Sequence, residues 1–359
     1  MRLFQNFTYY PSYRRRLRQL VPNAATFQQK LQVFFEDRYG ASHVLLPVTR
    51  ANPDAFFTNW DDELLQRAWA REAGLAKASL EEILLAQIEA HRTEVFYNID
   101  PVRLDNAFLG RLPGCVKRTI AWRAAPSGNA NFQDYDLVVC NFPDILAEMS
   151  NRGYRTAYFA PSHDPVMDAF AANRERPIDV VFVGGYSRHH KRRAEILNAV
   201  AALADDLQIV FHLDPSRLSR LAETPIGFLP PLARHRRPQA IRSVSRPPAF
   251  GLDLYRVLSQ AKIVLNGAID MAGSERGNMR CFESMGCGAL LLSDEGKYPD
   301  GMVPDSTLIT YSSAADVVAQ IRRLWADGDR RETIAHEGHK MVTTRYSKEI
   351  QWKQFQELL

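Results

Sequence analysis

The sequence predicts a two-domain α/β protein built on parallel sheets. Short apolar runs alternate with helix-period segments along nearly the whole chain, the pattern of strands buried on both faces by helices. The 359 residues, at about 150 per domain, are enough for roughly two cores. A polar stretch near 170–177, containing AANRERP, interrupts the alternation midway and reads as the interdomain linker.

Taken in order, a strand is expected at 2–8, followed by a basic helical stretch between Pro11 and Pro22 and a helix at 27–39, where Leu31, Phe34 and Phe35 keep helical spacing. A strand at 55–59 precedes helices at 64–72 and 80–90. Strands follow at 94–99, 116–122, 137–140 and 155–160. Beyond the polar stretch, a strand at 179–183 stops at Gly184-Gly185, a helix occupies 191–204 and a strand 207–213. Residues 214–250, rich in Pro and Arg, read as loop with short structure. Next come a helix at 252–260, a strand at 262–266, a short helix at 279–285, and strands at 289–293 and 307–310. From 314 onward the pattern is helical, with an apolar stripe of Val317, Val318, Ile321, Leu324 and Trp325 and a second of Ile350, Phe355 and Leu358.

Composition excludes several classes. With 46% hydrophobic and 24% charged residues the chain is neither disordered nor fibrous. Against 45 basic residues stand 41 acidic ones, so the net charge is only +4 and no nucleic-acid partner is expected. No apolar run approaches the roughly 18 to 20 residues of a membrane span, and the N-terminal segment lacks the basic and apolar regions of a secretory signal. A cytoplasmic location is expected. The four cysteines show no CxxC spacing and read as reduced, mostly buried thiols, with no structural zinc. Three basic clusters lack a neighbouring acid: Arg14–Arg18, Arg188–Arg193 and Arg234–Arg246. Each is either a solvated face or a site for an anion such as a diphosphate or an anionic membrane.

The most informative stretch is Asn266–Asp294, which reads strand, loop, helix, strand. Gly273 and Gly277 allow a close turn, Asn278 is a candidate N-cap, and Met279, Phe282 and Met285 face the core. Arg280 and Glu283 share the other face one turn apart, and Gly286 and Gly288 end the helix. A helix start behind glycines offers free amides and the positive end of the macrodipole to an anion. Arg280 adds a cation there, and Glu283 can accept hydrogen bonds from a ribose diol. The chemistry is that of a nucleotide, set against the plainer reading of an Arg280–Glu283 surface pair.

The segments Phe250–Tyr255, Lys262–Asn266 and Gly277–Gly288 with the following ALLLSD resemble the C-terminal half of bacterial glycosyltransferases of the group 1 or CgeB-like type. Asp37–Gly40, Leu65–Ala70 and Asn98–Pro101 are similar to the N-terminal half, so the resemblance covers nearly the whole chain. It implies a GT-B fold, with two Rossmann-like domains whose sheets face each other across a cleft. Residues 1–170 would bind the acceptor and 171–340 the nucleotide-sugar donor, and a C-terminal helix at 341–359 would return to the first domain. It further implies a hexosyltransferase of bacterial cell-surface polysaccharide biosynthesis, probing a glycan, lipid-linked or protein acceptor without metal or other cofactor, with a retaining outcome and an association with the inner membrane surface.

Glu275 and Glu283 match the E-x7-E spacing of related retaining enzymes, which implies Glu275 near the donor sugar or its phosphate and Glu283 at the ribose. Gly184, Gly185 and Arg188 would line the diphosphate together with Gly277, Asn278 and Arg280. For the catalytic base, Asp37 is favoured by its DRYG setting and His163 by a place before the linker, beside the expected cleft; His43 and Asp100 are further candidates. The Asp134-Tyr-Asp136 triplet spells a D-x-D metal motif but directly precedes a buried-type strand, and Gly286-Cys-Gly288 leads into a strand instead of a helix, against NAD binding. The rival readings are a metal-dependent GT-A-type transferase and a catalytically silent nucleotide- or sugar-binding protein.

Overall fold

The chain folds, in a computed structural model describing all residues except 23–24, 187–189, 230 and 268–272, into two six-stranded sheets whose strand pairs are all parallel. Two compact units result: Met1–Pro161 with Lys348–Leu359, and Ser162–Ser347.

The first unit runs β1 (Leu3–Phe7), α1 (Pro11–Leu20), α2 (Phe27–Asp37), α3 (Leu46–Thr49), β2 (Ala55–Asn59), α4 (Glu63–Glu72), α5 (Leu80–Ala90), β3 (Val95–Asn98), α6 (Asn106–Leu109), β4 (Arg118–Trp122), β5 (Leu137–Cys140), α7 (Pro143–Asn151) and β6 (Thr156–Tyr158). Capping boxes fix two helix starts, Thr26 with Gln29 for α2 and Ser79 with Glu82 for α5. The sheet order is β2-β1-β3-β4-β5-β6. Phe4, Phe96 and Val138 pack on one face with Leu84 and Ile88 of α5. Leu3, Tyr97 and Val139 pack on the other with Phe355. Burial on both faces is why these strands read as unbroken apolar runs.

The second unit comprises α8 (Met167–Ala171), β7 (Ile178–Tyr186), α9 (Lys191–Ala201), β8 (Ile209–Pro215), α10 (Arg217–Ala222), α11 (Gln239–Ser243), β9 (Ser245–Arg246), α12 (Gly251–Ser259), β10 (Ala261–Leu265), α13 (Met279–Gly286), β11 (Leu290–Asp294), β12 (Ile309–Tyr311), α14 (Ala314–Ala326) and α15 (Gly328–Arg345). Its order, β12-β11-β10-β7-β8-β9, is the doubly wound 3-2-1-4-5-6 arrangement. The topological switch point, where such sheets receive ligands, lies between the C-terminal ends of β7 and β10. The chain then returns to the first unit as α16 (Lys348–Glu357). The Lys348 ammonium, buried, donates to the carbonyls of Ala41 and Val44, and Gln351 donates to Ser42 and Ala160.

Several expectations need correction. The 170–177 stretch is no linker: it lies inside the second unit, where Arg176 donates to the carbonyls of Ala261 and Cys287 and pins the stretch to the sheet. The strand expected to stop at Gly184 continues through Gly184-Gly185 to Tyr186, because both glycines pair with β8, at Leu213 and Asp214. The two-residue β9 within the expected 214–250 loop has no sequence signal of its own. Val317, Ile321 and Leu324 are buried as the stripe requires, but Trp325 is exposed. Asp136 is occupied structurally, its Oδ2 accepting from the Thr119 amide at 2.7 Å and hydroxyl at 3.0 Å. Among the described residues no helix is long and apolar enough to cross a membrane.

Candidate functional site

The candidate site forms at the C-terminal tips of β10 and β11 and the start of α13. Asn266, just past β10, is a buried hub: its Nδ2 donates to Ser293 Oγ at 3.1 Å, and its carbonyl accepts from the Tyr311 hydroxyl at 2.7 Å. Asn278 stands at the N-cap position with extended backbone, but its side chain does not cap the helix. It turns to Asn266 instead, donating to Oδ1 at 3.3 Å. The expected cap is therefore missing. The Cys281 amide bonds back to the Asn278 carbonyl at 3.0 Å, and among the described residues no side-chain acceptor meets the amides of the first helical residues, Met279 and Arg280.

On the next turn the Arg280 Nη1 donates to Glu283 Oε2 at 2.7 Å. The pair is not on the surface, with side chains only 17% and 6% exposed. Burial pushes the Glu283 carboxyl above its usual range, opposed by the Arg280 charge. The Arg280 Nε is buried and has no hydrogen-bond acceptor among the described residues. Cys281, behind this face, is a buried thiol pushed up to about 12 by burial.

The loop before α13 is stitched to the segment after β11. Glu275 is buried and forms a parallel bridge with Lys297. The Arg276 amide donates to the Lys297 carbonyl and the Lys297 amide to Ser274, at 2.9 and 2.8 Å. Arg276 Nε meets Asp294 Oδ2 at 2.7 Å, while its Nη1 donates to the Gly273 carbonyl at 2.8 Å. Sequence reasoning missed Asn266, Arg276 and Asp294. The one available signal was the acid ending ALLLSD, an unexpected terminus for an apolar strand.

At the switch point, Phe182, Arg192, Arg193, Asn266, Gly267, Asp294 and Tyr311 line a cavity. Arg193 donates to the Gly267 carbonyl and Arg192 to that of Ser312 at 3.0 Å. The start of α9 is thereby tied to the tips of β10 and β12. Gly184 and Gly185 reach this region as strand residues, and a Cβ at Gly184 would stand 3.1 Å from the Phe182 ring. Arg188, expected beside them, lies outside the described residues.

The structure thus brings Gly277, Asn278, Arg280 and Glu283 together and sets Glu275 at the entry to the same helix. His163 is elsewhere. Its ring is buried against Gly286 at the far end of α13, about 10 Å along the axis from the helix start at 1.5 Å per residue. Nε2 donates to Asp168 Oδ1 at 2.9 Å, and the His339 ring stands at 5.9 Å. Burial lowers its pKa, which keeps the ring neutral. Asp37, in the first unit, is buried and accepts from Arg16 at 2.8 Å, which fastens α1 to α2. His43 is buried against Trp122, and Asp100 is held by Arg103 and the Trp60 indole.

A doubly wound unit with an uncapped helix start, a guanidinium and a buried carboxylate at its strand tips has the architecture that receives nucleotides in many α/β proteins. Residues 192–357 match a family described as glycosyl transferase-like, and the two-sheet architecture is the GT-B fold. A structure of Alr3699/HepE from Anabaena, solved with UDP and glucose, superposes with a TM-score of 0.60 at 13% identity over 100% of this chain and 99% of that one. Sucrose-phosphate synthase from Thermosynechococcus elongatus is similar at a TM-score of 0.56 and 12% identity, covering 99% and 97%. A glycosyltransferase from Rickettsia africae gives 0.57 at 9%, again covering 99% and 97%. No curated protein sequence matches the chain. The GT-A alternative falls with the fold.

Proposed function

We propose that this chain transfers a sugar from a uridine diphosphate donor to a glycan, lipid-linked or protein acceptor, without a metal. The observation that carries the reading is the start of α13, where Asn278 leaves the helix without a side-chain cap and the first turn carries the Arg280 guanidinium, paired with Glu283. Such a site stabilises a diphosphate in the bound donor and, more strongly, as it departs with the negative charge of the broken glycosidic bond. Glu283, fixed one turn deeper by Arg280, accepts from the ribose hydroxyls. Glu275, at the helix entry, stands toward the donor sugar, and with Glu283 keeps the spacing of retaining enzymes. The Gly184-Gly185 strand end supplies the opposite wall of the diphosphate site. UDP is chosen because Alr3699/HepE, of the same fold, was solved with UDP and with UDP-glucose. The likeness of Gly277–Gly288 to CgeB-like proteins supports placement in that subgroup.

Titration calorimetry with UDP, GDP and CDP, with and without EDTA, tests the reading. UDP is expected to bind equally in both conditions, and turnover of UDP-glucose in the presence of acceptor extracts is expected to release UDP. Failure of every nucleoside diphosphate to bind overturns it.

A further inference from the structure

The segment between β8 and β9 carries a surface that the nucleotide site does not use. Residues 216–246 hold seven arginines and a single carboxylate, Glu223. That carboxylate is consumed internally: Arg237, buried, grips both its oxygens at 2.6 and 2.8 Å. Arg217, Arg220 and Arg234 stay exposed.

Helix α10 in this segment has its faces reversed. It turns Ser219 and Ala222 inward, buried, and leaves Leu218 49% and Leu221 41% exposed. Leu229, shortly after, is 62% exposed. The segment is nonetheless folded on itself: Arg236 donates to the Ala222 carbonyl at 3.1 Å, and a Cβ at Gly227 would meet that same carbonyl oxygen. Leucines held outward on a folded element, beside arginines in a segment whose one carboxylate is already engaged by Arg237, are costly in water unless another phase receives them.

We infer that this surface docks the protein on an anionic phospholipid bilayer, with Leu218, Leu221 and Leu229 entering the headgroup boundary and Arg217, Arg220 and Arg234 on lipid phosphates. Arginine and leucine at successive positions (217–218, 220–221) set two adjacent rows on one helix face, the arrangement of an interfacial helix. A polyanion such as nucleic acid would engage the arginines without needing the leucines. An apolar protein partner would not need the excess of positive charge. Because every strand pair is parallel, α10, which follows the C-terminal end of β8, lies at the same edge of its sheet as the tips of β7 and β10. Docking there sets the mouth of the switch-point crevice toward the membrane, where a lipid-linked acceptor resides.

The test is co-sedimentation of the full chain with vesicles, read without nucleotide so that the result is independent of UDP binding. Retention is expected on phosphatidylcholine vesicles containing about one third phosphatidylglycerol and not on phosphatidylcholine alone. The triple substitution Leu218→Ser, Leu221→Ser, Leu229→Ser, and separately Arg217→Glu, Arg220→Glu, Arg234→Glu, are each expected to lower partitioning roughly tenfold or more, with unchanged thermal unfolding. Absence of retention on the anionic vesicles overturns the inference. So does a serine variant that binds like the parent, which would mark a plain polyanion site. A parent that light scattering shows as a dimer, made monomeric by the serine substitutions and never retained on vesicles, would assign the surface to a second copy and overturn it equally.

Discussion

Replacing Arg280 by alanine separates the structural from the functional work of the α13 ion pair. Arg280 Nη1 and Glu283 Oε2 lie 2.7 Å apart with the carboxylate almost fully enclosed. Without the guanidinium, Glu283 must stay charged in a low-dielectric site or take up a proton. Protonating a carboxyl of ordinary pKa near 4.3 at pH 7 costs about 3.7 kcal/mol, which caps the penalty. Burial already raises this carboxyl in the parent, so part of that cost is present there too. The expected loss of stability is about 2 to 3 kcal/mol at pH 7. A folded-state pKa above the unfolded one means that the folded protein binds the extra proton, so the stability of the Arg280→Ala variant falls as pH rises from about 4.3 through the raised value. Denaturant unfolding at pH 5 and pH 8 reads this directly. Adding Glu283→Gln removes the stranded charge and should restore most of the stability and flatten the pH dependence. UDP affinity should behave differently. The single and the double variant alike lose the cation at the helix start, about 1 to 3 kcal/mol, or roughly 5- to 150-fold in Kd. A double variant that is stable and binds UDP like the parent would refute the anion-site reasoning, leaving only a buried pair.

Other expectations follow from packing and titration. His43, buried and lowered to about 3 by burial and then by the Lys348 charge, is neutral when folded, so stability should decline as pH falls below about 6.5, by at most about 1.4 kcal/mol per pH unit from this group; His43→Gln should reduce the slope in unfolding titrations. Lys348→Ala leaves the carbonyls of Ala41 and Val44 without their buried donor, costing about 2 to 3 kcal/mol and making the 348–359 helix an early site of limited proteolysis. Gly338→Ala in α15 gains about 1 kcal/mol of helix propensity but drives a Cβ to 2.7 Å from the Thr307 backbone oxygen; the clash should win by about 1 kcal/mol or more in thermal unfolding.

Local chemistry was legible where neighbours in sequence carry it. Eleven of the strand positions were marked by apolar runs between Gly, Pro and polar residues, and Asn266–Asp294 was marked by its glycines and by the three-residue recurrence of Met279, Phe282 and Met285. Burial on both faces leaves such runs little freedom to read otherwise. What depended on a partner distant in the chain was not legible. Gly184 and Gly185 read as a turn, but pairing with Leu213 and Asp214 extends the strand through them. Asn278 has the composition of a cap, yet the nearby Asn266 takes its side chain. Arg276 and Asp294 are separated by a helix and a strand before meeting at 2.7 Å. His163 fell at a predicted segment end, but packing against Gly286 put it at the wrong end of α13.

The amino-acid sequence by itself determined the alternation of strands and helices, the apolar faces, and the helix start bearing Arg280 and Glu283, because these follow from spacing within a turn or a strand. Only the tertiary structure decided the strand order with its switch point, the burial of the Arg280–Glu283 pair, and the outward turn of the α10 leucines. Those depend on which surfaces exclude water, and exclusion of water is a property of segments brought together from far apart in the chain.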